Sequence, residues 1–374
     1  MFSHRLDWNH PRNRIADRLE AHNRAGRPLL DLTGSNPTRA GFIWPAGLLE
    51  TLADTRGLTY DPDPRGLLSA RQAIAEYQGV RADQILVSAS TSEAYAYLFK
   101  LLADPGDEIL APRPSYPLFD FLGRLESVRM VQYPLFYDHG WSIDLAALES
   151  LITPRSRAIV VVNPNNPTGS FLRANELDAL EAMCAKHDLA LISDEVFADF
   201  ALRESDPQWV KCAARSATSI PTFSLGGLSK ACGLPQLKLG WIVSNSAAAL
   251  ERLELIADTF LSVSTPVQVA LPELLDSRHA MQEQMLARMR VNLSKLGSRA
   301  LVLEGGWTAV LRVPNSKTDE EWVLDLLSEY DVLVQPGFFY DFPSGAHLIV
   351  SLLTPEAEFE EGSRRIQQAI KRVS

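Results

Sequence analysis

The sequence predicts an α/β fold: a large domain with a mostly parallel sheet covered by helices, plus a smaller α+β domain. Apolar runs such as AIVVV and LALIS are nearly continuous, which is typical of strands covered on both faces. Strand-like and helical segments alternate from about residue 65 to 275, and the pattern then changes. We therefore expect an N-terminal helix and arm (1–44) that packs with the small domain, a large domain (45–275) and a small domain (276–374).

The elements follow in chain order. Residues 11–25 place Ile15, Leu19 and Ala21 on one stripe and predict an amphipathic helix, whereas LDLTGSNPTRAGFIWP should be irregular because of its Gly, Asn and Pro. The large domain then shows the helix RGLLSARQAIAEYQ, strand QILVSAS, helix TSEAYAYLFKLLADPGD, strands EILAPRPSY and RAIVVV, helix NELDALEAMCAKHD, and strands LALIS and TFSL. The small domain shows the helix SRHAMQEQMLARMRVNLSKLGSR, strand GGWTAVLRVP, a helix near 320–330, and strands DVLVQPG and HLIVSLL.

Composition excludes several classes of protein. The 374 residues carry a formal net charge of −10, whereas a protein that binds nucleic acid needs a basic surface. No apolar run approaches the ~18 residues of a membrane span, and the polar N-terminus lacks the apolar core of a signal peptide. Cys184, Cys212 and Cys232 lack the spacing of a zinc site. We expect a cytoplasmic enzyme with no metal and no nucleic-acid or membrane partner.

Polar residues follow the predicted strands, where ligands of open α/β sheets bind. Ser90, Thr91 and Ser92 follow one strand and open a helix, whose free N–H groups could bind an anion. Ordinary N-capping would explain the same residues. Tyr116, in RPSYP after the next strand, is by itself an aromatic residue on a loop.

Three later strands end in further candidates. Asn166 lies in the rigid turn NPNNPTG, Asp194 begins an acid pair with Glu195, and Lys230 lies in GGLSK. A buried carboxylate at this strand end should need a cationic partner. No dinucleotide or P-loop glycine motif follows a strand. An anion site, an aromatic residue, an acid and a lysine, in this order, suit pyridoxal phosphate.

The motifs VVNPNNPTG, ISDEVF and LSKACGLPQLKLGW resemble those of the class I/II aminotransferases, which are fold type I pyridoxal-phosphate enzymes, over about residues 31–354. The resemblance implies that Lys230 carries the cofactor and moves a proton between the substrate Cα and the cofactor C4′. It implies that Asp194 keeps the ring nitrogen protonated. By the same resemblance, Asn166 binds the ring O3′, Tyr116 stacks on the ring, and the phosphate is held by Ser90, Thr91, Ser92 and Lys238.

The resemblance also implies an activity and an assembly. The activity is transfer of an amino group between an amino acid and a 2-oxo acid by a ping-pong mechanism. The assembly is a homodimer with shared sites, in which Tyr60 reaches the phosphate of the neighbouring subunit. Ser264 and Thr265 are candidates to approach the partner's cofactor.

Four positions depart from the family pattern. Phe197 replaces a tyrosine that donates to O3′, and Gly227 replaces a serine. Lys238 replaces an arginine, which keeps the charge but loses the planar fork of donors. Ile349 stands where the family has the arginine that clamps the substrate α-carboxylate.

Two explanations for Ile349 remain open. Another arginine could bind the carboxylate: Arg39, near Ser35 at the expected mouth of the substrate site, or else Arg65 or Arg113. Arg39 could equally be a solvent-exposed loop residue that has no role in substrate binding. Alternatively, the substrate has no α-carboxylate in the usual place. The aromatic residues Phe338, Phe339, Tyr340 and Phe342 favour core packing in the small domain over a substrate pocket, which remains the alternative.

Two rival functions remain. A lyase, decarboxylase or racemase would use the same cofactor, because substrate orientation selects the bond that breaks at Cα. A non-catalytic sensor could bind the cofactor on this fold, but such regulators carry an N-terminal DNA-binding domain. Only about 40 residues precede the fold here.

Overall fold

The structure, a computed structural model, describes residues 1–9, 12–217 and 219–373. Its strands are β1 Leu30–Asp31, β2 Ile85–Ser88, β3 Glu108–Arg113, β4 Arg129–Tyr137, β5 Trp141–Ile143, β6 Ser156–Val162, β7 Ala190–Asp194, β8 Thr222–Gly227, β9 Gly240–Ser244, β10 Thr308–Val313, β11 Val332–Leu333, β12 Gln335–Pro336 and β13 Ala346–Ser351. Its helices are α1 Arg14–Arg24, α2 Leu68–Gln78, α3 Thr91–Leu102, α4 Phe119–Leu125, α5 Leu145–Ser150, α6 Ala174–His187, α7 Ala213–Ser216, α8 Leu228–Ala231, α9 Ala247–Phe260, α10 Thr265–Asp276, α11 Arg278–Ser294, α12 Asp319–Glu329 and α13 Glu356–Lys371.

The large domain is built on a sheet with the strand order β2-β9-β8-β7-β6-β3-β4-β5. Strands β4, β3, β6, β7 and β8 are parallel to their neighbours in this series, whereas β5, β9 and β2 are antiparallel. Nearly every residue of β6 and β7 is buried, as expected for strands covered on both faces. The predicted α/β class with a mainly parallel sheet is confirmed. The carboxyl ends of β3, β6, β7 and β8 therefore meet at one edge, together with the polar residues that follow them.

The small domain contains the antiparallel sheet β10-β13-β12, packed with α11, α12 and α13. The N-terminal arm joins it. Strand β1 pairs in parallel with β11, and the Leu30 N–H donates to Asp331 O over 2.8 Å. On the other side the Ser351 N–H donates to Leu32 O over 2.7 Å. The expectation of a wholly irregular arm was wrong at 30–31, because the small domain satisfies its backbone groups.

Several other elements need comment. Helix α1 is the predicted N-terminal helix, although Pro11, within the predicted range, lies outside the described residues. Asn13 caps α1 by accepting from the Ala16 N–H over 2.7 Å. The antiparallel β4–β5 pair and the helices α9, α10 and α13 were not predicted. In the part of the chain that the structure describes, no helix combines the length and apolar character needed to cross a membrane.

Candidate functional site

A cavity opens at the carboxyl edge of the large sheet, between the large domain, the small domain and the arm. It brings together most of the predicted site residues: Ser35, Ser90, Thr91, Ser92, Tyr116, Asn166, Asp194, Phe197, Lys230 and Lys238. Residues that the sequence did not single out complete the lining, chiefly Thr33, Tyr95, Ser229, Trp307, Thr308, Gln335, Tyr340 and Ser351. Residues that are far apart in sequence therefore share one site.

Asp194 places a carboxylate in this cavity at the last position of β7. Its Oδ2 accepts from the Tyr95 hydroxyl over 3.0 Å, and its Oδ1 accepts from the Val196 N–H over 3.2 Å. Burial raises the pKa of Asp194 to about 6, against the effect of these hydrogen bonds and of the positive charge on Lys230. A cationic N–H in the cavity would offset that burial and hold the carboxylate in its charged form.

Lys230 lies in α8, immediately after β8. Burial lowers the pKa of its amine, and the negative charge of Asp194 opposes that shift. The Nζ atom lies 4.7 Å from the ring centroid of Trp307 and 5.5 Å from that of Phe197. A lowered pKa increases the fraction of neutral amine, which is the form that attacks an aldehyde.

The N-terminus of α3 lines another side of the cavity, where its free N–H groups would suit an anion. The Ser90 hydroxyl caps the helix by accepting from the Glu93 N–H over 3.1 Å. A Cβ at Gly240 would lie 2.9 Å from the Ser90 carbonyl carbon and 3.0 Å from the Thr91 nitrogen, so glycine lets β9 approach the helix end closely. Lys238, which lines the same cavity, adds a cation to the positive end of the helix.

The same close packing explains one departure from the family. A Cβ at Gly227 would lie 3.1 Å from Leu239 O and 3.3 Å from the Gly240 Cα. The serine usual in the family would therefore force these neighbours to shift, whereas glycine does not.

These groups fit three parts of pyridoxal phosphate: the aldehyde, the ring nitrogen and the phosphate. Lys230 offers an amine for the aldehyde, Asp194 a carboxylate for the ring nitrogen, and α3 with Lys238 a positive site for the phosphate. Tyr116 supplies an aromatic face on the lining and packs edge-on against Phe119, with 6.0 Å between ring centroids. The chemistry of the residues therefore suits this cofactor.

Asn166, the predicted donor to the ring O3′, contacts the small domain. The Thr308 hydroxyl lies 3.3 Å from Asn166 Oδ1 and 3.3 Å from Pro167 O, so its single hydrogen is shared by two acceptors. Because Oδ1 faces Thr308, the Nδ2 of Asn166 is the group left to donate elsewhere. Thr308 thus links the small domain to a residue expected to touch the cofactor.

Ile349 occupies the arginine position without offering any polar group. It is 1% exposed and packs with Val310 and Tyr340. In the sheet it lies between Val310 on β10 and Gln335 on β12. The structure therefore shows a packed apolar side chain at this position.

Several predicted residues are not in the cavity. Arg39 is exposed in the turn Pro37–Arg39 and is not among the residues that line the cavity, and its place in the substrate site stays a prediction. The turn is fixed by Asn36, whose Oδ1 accepts from the Thr38 N–H over 3.0 Å. Arg65 is paired with Glu254 at 2.6 Å, and Arg113, at the end of β3, is also absent from the lining.

Tyr60 lies outside this cavity as well. It is 75% exposed and lines a separate cleft together with Thr265. Its predicted contact with a neighbouring subunit stays a prediction.

The sequence contained a signal for one of the missed residues. Tyr95 follows Thr91 by four residues, so both lie on the same face of α3. The others come from the small domain and the arm. Core packing was favoured over a substrate pocket for Tyr340, and the residue both packs in the core and lines the cavity, while Phe338 in the same run is 42% exposed.

Glu195, the acid next to Asp194, does not line the cavity. Its Oε1 accepts from the Ala213 N–H over 2.7 Å and from the Ser224 hydroxyl over 2.8 Å. Burial raises its pKa to about 7. The expectation of a cationic partner was wrong for this carboxyl, because neutral donors and a raised pKa limit the cost of burying a charge.

Comparison with known proteins agrees with this geometry. The model of the family "Aminotransferase class I and II" matches residues 33–366. An alanine aminotransferase of Mycobacterium tuberculosis is 30% identical over 90% of this chain and 84% of its own length. An arginine–pyruvate transaminase of Pseudomonas aeruginosa is 28% identical over 91% of this chain and 90% of its own length. The solved structure of an alanine aminotransferase from Pyrococcus furiosus superposes with a TM-score of 0.85 at 25% identity, covering 96% of this chain and 97% of that one. Since the match spans nearly the whole chain and includes the residues of the cavity, this protein belongs to the class I and II aminotransferases.

Proposed function

We propose that the protein uses pyridoxal phosphate to move an amino group from an amino acid to a 2-oxo acid, with the two substrates bound in turn. The observation that carries the proposal is the presence of Lys230, Asp194 and the N-terminus of α3 in one cavity. When bound, the cofactor supplies the electron sink that stabilises negative charge developing at the substrate Cα. The relatives named above make alanine, arginine and pyruvate the first substrates to test.

The chain's own residues divide the remaining work. Asp194 holds a proton at the ring nitrogen, where a charge-assisted hydrogen bond stabilises both partners in a buried site. Lys230 moves the proton between Cα and C4′, and burial favours its neutral form, which accepts that proton. Phe197 and Trp307, both buried, keep water away from the amine.

Trapping the lysine and following one half-reaction tests this function. Borohydride reduction of the loaded protein should fix the cofactor on Lys230, as identified by mass spectrometry. In a separate, unreduced sample, an amino donor added alone should convert the cofactor to its amine form, which is visible by absorbance, and a 2-oxo acid should reverse the change. A lyase, decarboxylase or racemase would leave the aldehyde form, and a sensor would bind donors without conversion. Either result would contradict the proposal.

We also propose a homodimer in which Tyr60 completes the partner's site. Tyr60 is exposed, lies next to a cleft that contains Thr265, and is two residues from Leu58, which is 88% exposed. Mixing Lys230→Ala chains with Tyr60→Ala chains tests this arrangement. A mixed dimer would hold one site with both residues intact and should regain activity, which neither parent has. No recovery in mixtures with proven subunit exchange would refute the shared site.

A reducing compartment such as the cytoplasm fits the cysteines. Cys184, Cys212 and Cys232 are buried and unpaired, and burial raises the pKa of each thiol to about 12.

A further inference from the structure

Besides Tyr340 and Trp307, whose indole Nε1 is buried, the small-domain wall of the cavity has three polar side chains, and two of them have already used their hydroxyl hydrogens. Thr308 directs its hydroxyl to Asn166 and Pro167. Ser351 donates to Gly34 O over 2.6 Å. A hydroxyl has one hydrogen to donate, so neither side chain can donate to a substrate without breaking an existing bond.

Gln335 is the exception on this wall. The Tyr340 hydroxyl donates to Gln335 Oε1, which fixes the amide and leaves the two N–H groups of Nε2. In the described residues no acceptor pairs with that nitrogen. Gln335 lies directly opposite Ile349 in the sheet. Gln335 lines the cavity, whereas Ile349 does not.

The arm adds a second donor of the same kind. Ser35 lines the cavity, and its hydroxyl has no partner among the described residues. The lining also contains two cations, Lys230 and Lys238, and the proposed function uses both of them for the cofactor. The groups left to bind a substrate anion on this side are therefore neutral.

We propose that Gln335, assisted by Ser35, binds the α-carboxylate of the amino donor through neutral hydrogen-bond donors in place of a guanidinium. This inference rests on the proposed function. Hydrogen bonds to a charged acceptor are stronger than those between neutral groups, so the amide can orient a carboxylate. Without a full positive charge, affinity for carboxylates is lower than an arginine would give and depends less on salt.

The first test is a binding measurement. A 2-methyl amino acid has no Cα proton to lose, so it reports binding without turnover through the absorbance of the bound cofactor. Gln335→Met keeps the length of the side chain but removes its donors, and should weaken this binding by about 10- to 100-fold. Gln335→Arg should tighten it and increase its salt dependence. Gln72→Met, an exposed position on α2, is the matched control and should change nothing.

The second test separates the carboxylate from the rest of the donor. Single-turnover rates with alanine and with ethylamine, its counterpart without a carboxylate, are compared in each variant. Gln335→Met should slow the alanine reaction strongly and the ethylamine reaction by less than about 2-fold. Binding within 2-fold of wild type in Gln335→Met, or equal losses with both donors, would overturn the inference.

Failure of this inference is distinguishable from failure of the function. If no donor converts the wild-type cofactor to its amine form, the proposed function fails, and with it the inference. If wild type converts donors but Gln335→Met behaves as wild type, the carboxylate binds elsewhere and only the inference fails. Retained cofactor absorbance in each variant shows that the site has folded.

Discussion

The two sides of the cavity differ in which charged residues of the family they keep. The large-domain side keeps the acid, the lysine, the asparagine turn and the helix N-terminus, in the family's order. The small-domain side has lost the arginine and presents Ile349 behind Gln335, with Trp307 over the lysine. In the proposed function the large-domain side holds the cofactor and the small-domain side receives the substrate. Three departures from the family, Phe197, Gly227 and Lys238, lie on the first side and leave its acid and lysine in place, whereas the departure at Ile349 removes a charged group from the second.

Lys230→Ala should have the largest effect, because Lys238, the other lysine that lines the cavity, is assigned to the phosphate. Turnover should fall below detection and borohydride should no longer trap cofactor, while the circular dichroism spectrum stays unchanged. Lys211→Ala, at an exposed lysine of the same domain, should retain full activity. Recovery of the reduced adduct on Lys211 or Lys238 of the wild-type protein would remove Lys230 from its role.

Asp194→Asn should bind cofactor but lose turnover by roughly 10²-fold or more, since an amide cannot hold a charged N–H in the same way. The rate of the half-reaction with saturating donor measures the loss. Glu195→Gln is the matched control, one residue away but outside the cavity, and should remain within a few-fold of wild type. Activity of Asp194→Asn within a few-fold of wild type would contradict the role of Asp194 at the ring nitrogen.

Glu195→Gln should instead change stability with pH. The pKa of Glu195 is raised in the folded state to about 7. Its contribution to stability is therefore full below the unfolded pKa and is lost as the pH rises through about 7. From pH 5 to 8, the free energy of unfolding of the cofactor-free protein should fall less in the variant, by on the order of 2–3 kcal/mol. Identical pH dependence in urea denaturation would show that the carboxyl ionises as it does in water.

Phe197→Tyr should restore a family feature where the two sides meet. An added hydroxyl donor favours the ionised O3′, so the pKa read from the absorbance of the lysine-linked cofactor should fall by roughly 0.5–1. The titration is made without substrate. An equal or higher pKa, with cofactor bound, would count against the proposed geometry of the segment from Asp194 to Phe197.

Thr308→Val should have the smallest effect, and it should raise the pKa of the lysine-linked cofactor, whereas Phe197→Tyr lowers it. Loss of the hydroxyl frees the Asn166 amide to rotate, which weakens its donation to O3′ and should raise the same pKa by about 0.3. Thr308→Ser keeps the hydroxyl and should titrate as wild type does. A shift in Thr308→Ser as large as in Thr308→Val would assign the effect to packing rather than to the hydrogen bond.

The sequence predicted the large-domain side well, because each group there follows its own strand directly. Asp194 and Lys230 are placed by β7 and β8, whose apolar patterns are unambiguous. The sequence analysis did not predict the β4–β5 pair or α13. Strand β4 contains Pro134 and shows no clear alternation. Helix α13 is mainly polar but repeats Phe359, Ile366 and Ile370 at helical spacing, so the sequence did contain a signal for it.

The small-domain side could not be predicted in the same way. Thr308 and Gln335 reach the cavity only through the pairing of β10, β12 and β13, which depends on contacts distant in sequence. Nearness in sequence is likewise a poor guide here. Arg39 lies close in sequence to Ser35, which lines the cavity, yet the turn Pro37–Arg39 leaves it exposed.

The pairing of the arm has a mechanical consequence. Residues 30–34 are hydrogen-bonded to β11 on one side and to Ser351 on the other, so the arm is an extra strand of the small domain although it precedes the large domain in sequence. Ser35 therefore follows directly on a segment that is hydrogen-bonded to the sheet region carrying Gln335 and Trp307. If this region moves to admit or release a substrate, we expect the three side chains to move together, so that opening of the entrance follows a single rate constant.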